Sequence, residues 1–536
     1  MRPTRLSTAP ALAVVALLLL PAADLPGPPA AHRAGPATLA AQERDDPRLG
    51  RIHFPNSGAA EAQEPFLRGV LLLHSFEYED AARAFQEAQE ADPDFALAYW
   101  GEAMTHNHPL WREQDRTAAR EILERYHATG ATPPTERERR WLAVLEELYG
   151  EEGSKQERDR RYRDAMRRLQ EDFPDDAEAR AFHALSILGS TDGVRDFATY
   201  MRAAATARPV FEENPRHPGA AHYIIHSFDD PVHAPLGLPA ARAYADIAPD
   251  AAHAQHMTSH IFVAMGMWDD VVEANVRARD VQNARRAELG RGPNPCGHYT
   301  SWLHYGWLMQ GRPEEATAGL ERCMARIQEE PTMGERAYFV DMRARQIVDL
   351  EEWHGAERWS ADFSAWPGLQ SGMAFVDAFA SFQAGEHQEA GEIMEAMRAA
   401  LPAREEWSPR QEVAYRELEG LRALARGDEE GAVARLREAA ALEASLPFAF
   451  GPPASAKPPH ELLGEVLLEV GRPAEAVEAF RAALERTPRR TLSLRGLAQA
   501  AERAGMPAVA ADAGAELAGI WSEAEPGFEE RAGTRR

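Results

Sequence analysis

Residues 464–488 read GEVLLEVGRPAEAVEAFRAALERTP, and the spacing of the small residues in this stretch decides the fold. Gly464, Leu467 and Gly471 are followed by Ala476, Phe480, Ala483 and Pro488. Two runs of helical periodicity flank a glycine turn, and a proline ends the second run. Small residues let two antiparallel helices approach closely, while larger apolar ones fill the gap to the next pair. The same spacing occurs at Gly69, Leu72, Ala81, Phe85, Ala88 and Pro93, with a turn over Phe76–Glu79. It occurs again at Gly420, Ala423, Gly427, Ala432, Leu436 and Ala439. Pro215 and Pro249 stand 34 residues apart, one period of such an array. A unit this short cannot bury its own apolar face and must stack on neighbours.

These units resemble the tetratricopeptide repeat, and Gly464–Pro488 matches its motif at every signature position. The resemblance covers about residues 62–524 in eleven or twelve units. It implies an all-α, right-handed superhelical solenoid of antiparallel helix pairs, with the first helix of each pair lining a concave groove. The expected divisions are partly degenerate repeats over 62–215, histidine-rich repeats over 216–331 and further repeats over 332–446. A Pro-rich loop over 447–459, expected to bridge two repeats along the surface, precedes the C-terminal repeats at 460–524. Units near 95–128, 134–174 and 335–368 depart from the pattern, the first through an insertion at His106–Arg116 that leaves its second helix doubtful. Strand signals are nearly absent, and residues 525–536 read as a frayed polar tail.

Composition narrows the function classes. A net charge of −26 over 536 residues argues against nucleic acid as a partner and disfavours anionic lipid, while leaving room for metal ions. Residues 1–41 read as a signal peptide: Arg2 and Arg5, an apolar run from Ala9 to Leu20, then small residues near Ala40. The run is too short to span a bilayer, so the mature chain is expected in the periplasm or outside the cell with no stable membrane span. Only two cysteines exist, Cys296 and Cys323. They fall on either side of Gly311 with an axial mismatch of roughly 4.5 Å at helical rise, which allows a disulfide across one helix pair. Pro295 and Gly297 weigh against it by holding Cys296 off the helix.

The stretch from His217 to His260 holds seven of the nineteen histidines. His222 and His226 lie four apart, as do His256 and His260, so each pair stacks on one helical face. The second pair follows the first by one full repeat. Asp229 and Asp230 extend the first stripe and His253 begins the second. Neutral imidazole and carboxylate at this spacing are ligand types for zinc, iron, copper, nickel or manganese. The predicted metal residues are therefore His222, His226, Asp229, Asp230, His253, His256 and His260. Hydrogen bonding among the same groups is the structural alternative. His217 and His233 stand beside prolines, where capping explains them; His74, His106 and His108 suit an aromatic-rich turn; His298 and His304 suit packing. No HExxH, GxSxG, P-loop or CxxC motif is present, so no catalytic residue is assigned.

The stretch Asn214–Phe262 also resembles a group of exported bacterial tetratricopeptide proteins, which implies fold and export but no mechanism. The leading expectation is an exported scaffold that holds a protein or peptide partner in its groove, with a His/Asp metal site. The alternative is a metalloprotein or metal-dependent enzyme whose site lies between the two histidine-bearing repeats.

Overall fold

The glycine–phenylalanine spacing works as a lock between successive helix pairs. Phe480 packs between Gly464 of its own pair and Gly496 of the next, and a Cβ on either glycine would overlap the ring. Phe85 repeats this between Gly69 and Gly101. In the C-terminal units the turn inside each pair is closed by a left-handed glycine, Gly427 (φ 77°) and Gly471 (φ 75°).

The computed structural model describes residues 42–528 apart from 192–194 and 403. The proposed signal segment 1–41 and residues 529–536 lie outside the described residues. The first four pairs are α1 Ala60–His74 with α2 Tyr78–Ala91, α3 Ala96–Met104 with α4 Arg116–Thr129, α5 Glu136–Tyr149 with α6 Lys155–Asp172, and α7 Ala177–Gly189 with α8 Phe197–Glu213. The central pairs are α9 Pro218–Phe228 with α10 Ala234–Ile247, α11 Ala252–Ala264 with α12 Trp268–Glu288, and α13 His298–Met309 with α14 Pro313–Ile327. Next comes α15 Met333–Asp349, whose second helix is replaced by a 3-10 turn at Ala356–Trp359. The last four pairs are α16 Pro367–Gln383 with α17 His387–Ala400, α18 Pro409–Ala425 with α19 Glu429–Ser445, α20 Pro459–Glu469 with α21 Pro473–Arg486, and α22 Thr491–Arg503 with α23 Pro507–Ile520. Each helix packs on the next, and first helices also touch the first helix of the following unit, as α7 does α9 and α9 does α11. The fold is an all-α solenoid of TPR-like helix pairs.

Several sequence expectations are corrected. Two short antiparallel hairpins are present, β1 Glu43–Asp46 with β2 Gly50–His53, and β3 Asn107–His108 with β4 Glu113–Gln114. The second lies in the insertion, and α4 follows it as a complete helix capped by Asp115. The disulfide that the cysteine spacing allows is present, joining Cys296 and Cys323 with Cα atoms 4.6 Å apart. Residues 525–528 are docked, not frayed: the Glu525 amide donates to the Gly311 carbonyl (3.1 Å) and Phe528 packs edge-on to Trp521. The Pro-rich loop turns inward. Gly451 lies against the Trp302 ring, and Arg345 donates to the Pro453 carbonyl at 2.8 Å.

The stack closes on its own interior. From the N-terminal side, the turn after α1 docks on α9, α10 and the start of α11. His222 donates to the His74 carbonyl (2.7 Å), Tyr244 to Ser75 Oγ (3.2 Å), and the His253 amide to Glu77 (3.0 Å). The first hairpin pins the start of α9 through Arg51 N to the Arg216 carbonyl (2.8 Å). From the C-terminal side, Arg489 donates to the Gly266 carbonyl (2.8 Å) and Trp521 to the Met309 carbonyl (3.0 Å). Arg490, fully buried, pairs with Asp349 and Glu461. Every residue of α9 and of α11 is consequently buried.

Candidate metal centre

A helix buried on all sides is ordinarily apolar throughout. Here α9 and α11 carry five imidazoles into that interior, on the faces the i, i+4 spacing selects. His222 and His226 of α9 converge with His253 of α11, ligand-capable nitrogens lying within 4.8 Å of one another. His222 donates from Nδ1 to the His74 carbonyl, which fixes its tautomer and leaves Nε2 a bare lone pair. The Nε2 atoms of His222, His226 and His253 are all buried and none has a hydrogen-bond partner. Leaving one buried polar atom unsatisfied costs about 1–3 kcal/mol. Burial holds His222 down to about 3, and burial reinforced by neighbouring imidazoles holds His226 and His253 well below the ordinary histidine range. All three are neutral at physiological pH, the form that ligates metal.

Phe76 forms the floor of this set. Its ring lies 4.3 Å from His222, 6.1 Å from His226 and 5.4 Å from His253, centroid to centroid. It occupies the turn position that Gly471 fills in the C-terminal unit, with φ 56°. A bulky residue in the left-handed region stores strain, and such outliers gather at functional sites.

A second group, His256 and His260 of α11 with His298 of α13, also converges. His260 Nδ1 meets Asp229 at 2.6 Å, and His256 Nδ1 meets Asn275 Oδ1 at 2.7 Å. The histidines expected from the sequence to ligate metal are therefore divided: His222, His226 and His253 belong to one set, His256 and His260 to the other. The nearest rings of the two sets are His226 and His260, 5.8 Å apart. Asp229 orients His260. Asp230 is taken up elsewhere, accepting from Arg195 (2.9 Å), from the amides of Val232 and His233, and from the His233 ring.

A third group is saturated. Glu178 accepts from His74 (2.7 Å) and His217 (3.2 Å), while His74 Nδ1 meets the Tyr223 hydroxyl and His217 Nδ1 caps α9 at the Ala220 amide. Burial pushes the Glu178 carboxyl up, but the two imidazoles together outweigh it and draw it far below the usual range. With every polar atom partnered, this group ties α1, α7 and α9 together and has no vacant ligand. His108 stacks on Tyr78 at 4.1 Å, as an aromatic turn requires, and does not join His74.

His226, His253, His260 and His298 share the wall of one cavity of about 580 Å³. Trp111, Tyr200 and Trp302 line it as well, and the Pro-rich loop closes one side through Pro447–Gly451. His298, expected to pack, and the Pro-rich loop, expected on the surface, both line the cavity, and the aromatic cluster of Trp302 and Tyr305 beside His298 is the sequence signal for it.

No protein-family model matches the chain, and no curated protein matches it in sequence. Among solved structures it is similar to a chain of the APC/C hetero-tetramer Cut9–Hcn1, at 12% identity over 90% of this chain and 78% of that one, with a TM-score of 0.32. It is also similar to the human IFIT1 dimer with m7Gppp-AAAA (13% identity, 87% and 91% covered, TM-score 0.31). The TPR domain of P58(IPK) is a third (13% identity, 83% and 98% covered, TM-score 0.22). The repeat architecture stands on the helix pairing of the chain itself.

Proposed function

We propose that this protein binds a divalent transition metal ion through Nε2 of His222, His226 and His253, in the wall of a chamber that admits a small ligand. One observation carries the reading: three buried imidazoles converge with ligand-capable nitrogens within 4.8 Å of one another, and the buried Nε2 of each has no hydrogen-bond partner. An ion accounts for all three at once. Three neutral imidazoles suit zinc, copper, iron or nickel, and three protein ligands leave a coordination position for water or ligand. His226 and His253 line the chamber, which is of small-molecule size. Phe76 and the His74 carbonyl hold the set from behind.

The ion is the resident group in this reading, and the chain's own residues supply its orientation and exclude bulk water. An extended peptide along the first helices, the scaffold expectation, finds no free surface at α9 or α11. A partner's side chain or terminus entering the chamber mouth is the second reading, favoured by Trp111 and Phe450, which line the chamber and stay 46% and 48% exposed. Export is part of the proposal, supported by the basic and apolar start and by the Cys296–Cys323 bond, which suits an oxidising compartment.

The test is elemental analysis of protein as isolated, followed by calorimetry with zinc, copper, nickel, iron and manganese on the metal-free chain. Binding tighter than about 10 μM is expected, and the ion held by His222, His226 and His253 should be lost in His226→Ala and in His253→Ala. No binding to the wild type sinks the metal reading.

A further inference from the structure

The second histidine group contains a contact that neutral imidazoles cannot sustain. Asn275 donates from Nδ2 to the Val271 carbonyl (2.8 Å), which can only accept, so Oδ1 is the atom facing His256. His256 therefore carries its proton on Nδ1 and donates to that oxygen (2.7 Å). On the other ring, the Asp229 carboxylate accepts from His260 Nδ1 (2.6 Å). Both tautomers are fixed with Nε2 bare, and the two Nε2 atoms lie 3.1 Å apart. Two lone pairs pointed at each other repel unless a cation sits with them.

We propose that His256, His260 and His298 form a second transition-metal site, with Asp229 and Asn275 as the positioning residues that aim the two Nε2 atoms at the ion. Two imidazole nitrogens on one tetrahedral zinc at about 2.05 Å stand about 3.3 Å from each other, close to the separation found. His298 comes from α13, half-buried, with its ring 4.4 Å from that of His256 and a ligand-capable nitrogen within 4.8 Å of those of His256 and His260. Burial favours the neutral form of His256 and of His298. The carboxylate–histidine arrangement of Asp229 and His260 is the one that raises ligand basicity at metal sites. The alternative cation is a proton shared between the two nitrogens. His260 and His298 line the same chamber as His226 and His253, so the chamber holds two ions along one wall. This extends the proposed function from one ion to two, and its test separates them.

The experiment counts zinc per chain. Metal-free full-length protein is loaded with zinc, dialysed and measured by elemental analysis, with helix content checked by circular dichroism. The wild type is expected to hold two ions, His298→Ala one, His226→Ala one and the double variant none. Asp229→Asn should weaken the second ion roughly 10- to 100-fold and leave the first unchanged. A wild type that holds one ion, kept in His298→Ala and lost in His226→Ala, overturns the second site and leaves the proton between His256 and His260. One ion lost in His298→Ala and kept in His226→Ala overturns the first reading and keeps this one. If His298→Ala loses helix content, Asp229→Asn decides: unchanged affinity for both ions overturns the proposal.

Discussion

Replacing Phe76 separates backbone strain from side-chain support. The native residue is buried, at φ 56°, with its ring against three imidazoles. Removing a buried phenylalanine side chain costs about 3–5 kcal/mol. Holding an L-residue in the left-handed region costs about 1–2 kcal/mol, which alanine still bears and glycine does not. Glycine gives back about 0.5–1 kcal/mol through the greater freedom of its unfolded chain. Phe76→Gly should therefore be destabilised by about 2–4 kcal/mol, and Phe76→Ala by roughly 1 kcal/mol more, although alanine is the larger residue. Urea denaturation of the metal-free protein at pH 7 measures both. Zinc affinity should fall about tenfold or more in each variant, because His222 and His253 lose their common platform. An alanine variant as stable as the glycine one, or more so, refutes the strain argument. Unchanged zinc affinity in both refutes the assignment of Phe76 to the site.

Metal-free protein should weaken in acid. His304 is held at about 4 and His222 at about 3 by burial, so the unfolded chain binds more protons as pH falls below about 6.5. Stability should be full above that pH, lower by about 2 kcal/mol per histidine at pH 5, and still falling toward pH 4; a flat denaturation midpoint between pH 7 and 5 contradicts this. Cys323→Ser opens a crosslink of sequence separation 27 and should cost about 3.5 kcal/mol, read as a lowered melting temperature that reducing agent reproduces in the wild type. Arg490→Met leaves Asp349 buried without its ion-pair partner and Glu461 with Lys457 alone, and should cost about 3–5 kcal/mol, measured by thermal unfolding. A variant within 1 kcal/mol of wild type would show that water reaches those carboxylates.

The architecture was legible because it rests on spacing that any single unit displays. Gly464, Phe480 and Pro488 report a contact within one helix pair and its neighbour, so local sequence is enough. The histidine faces were legible for the same reason, since i, i+4 geometry belongs to one helix. What stayed hidden depends on contacts across many repeats. Nothing near His222 indicates that its Nδ1 meets a carbonyl 148 residues earlier, and so that the two repeats hold two separate sets. Asp230 looked like a ligand beside His226, but Arg195 and His233 occupy it. His298 lay a further repeat along, where Tyr299 and Trp302 made packing the natural reading. The five prolines of the loop signalled irregular backbone correctly and said nothing of the direction in which it folds.

The docked turn after α1 and the C-terminal contacts have a consequence for how the chain comes to be folded. An open repeat array gains stability step by step from adjacent units, can be lengthened or shortened, and folds from local contacts. Here Arg489 meets Gly266 across 223 residues and Tyr223 meets His74 across 149. Such pairings raise contact order, and loop-closure entropy must be met before they form. During synthesis the first pair must wait for α9 to emerge before its turn has anything to grip. Deleting one unit would not shorten a rod; it would move both ends off the interior they seal. The number of repeats is thereby fixed by closure, and the last repeats govern whether the middle of the chain is ever dry.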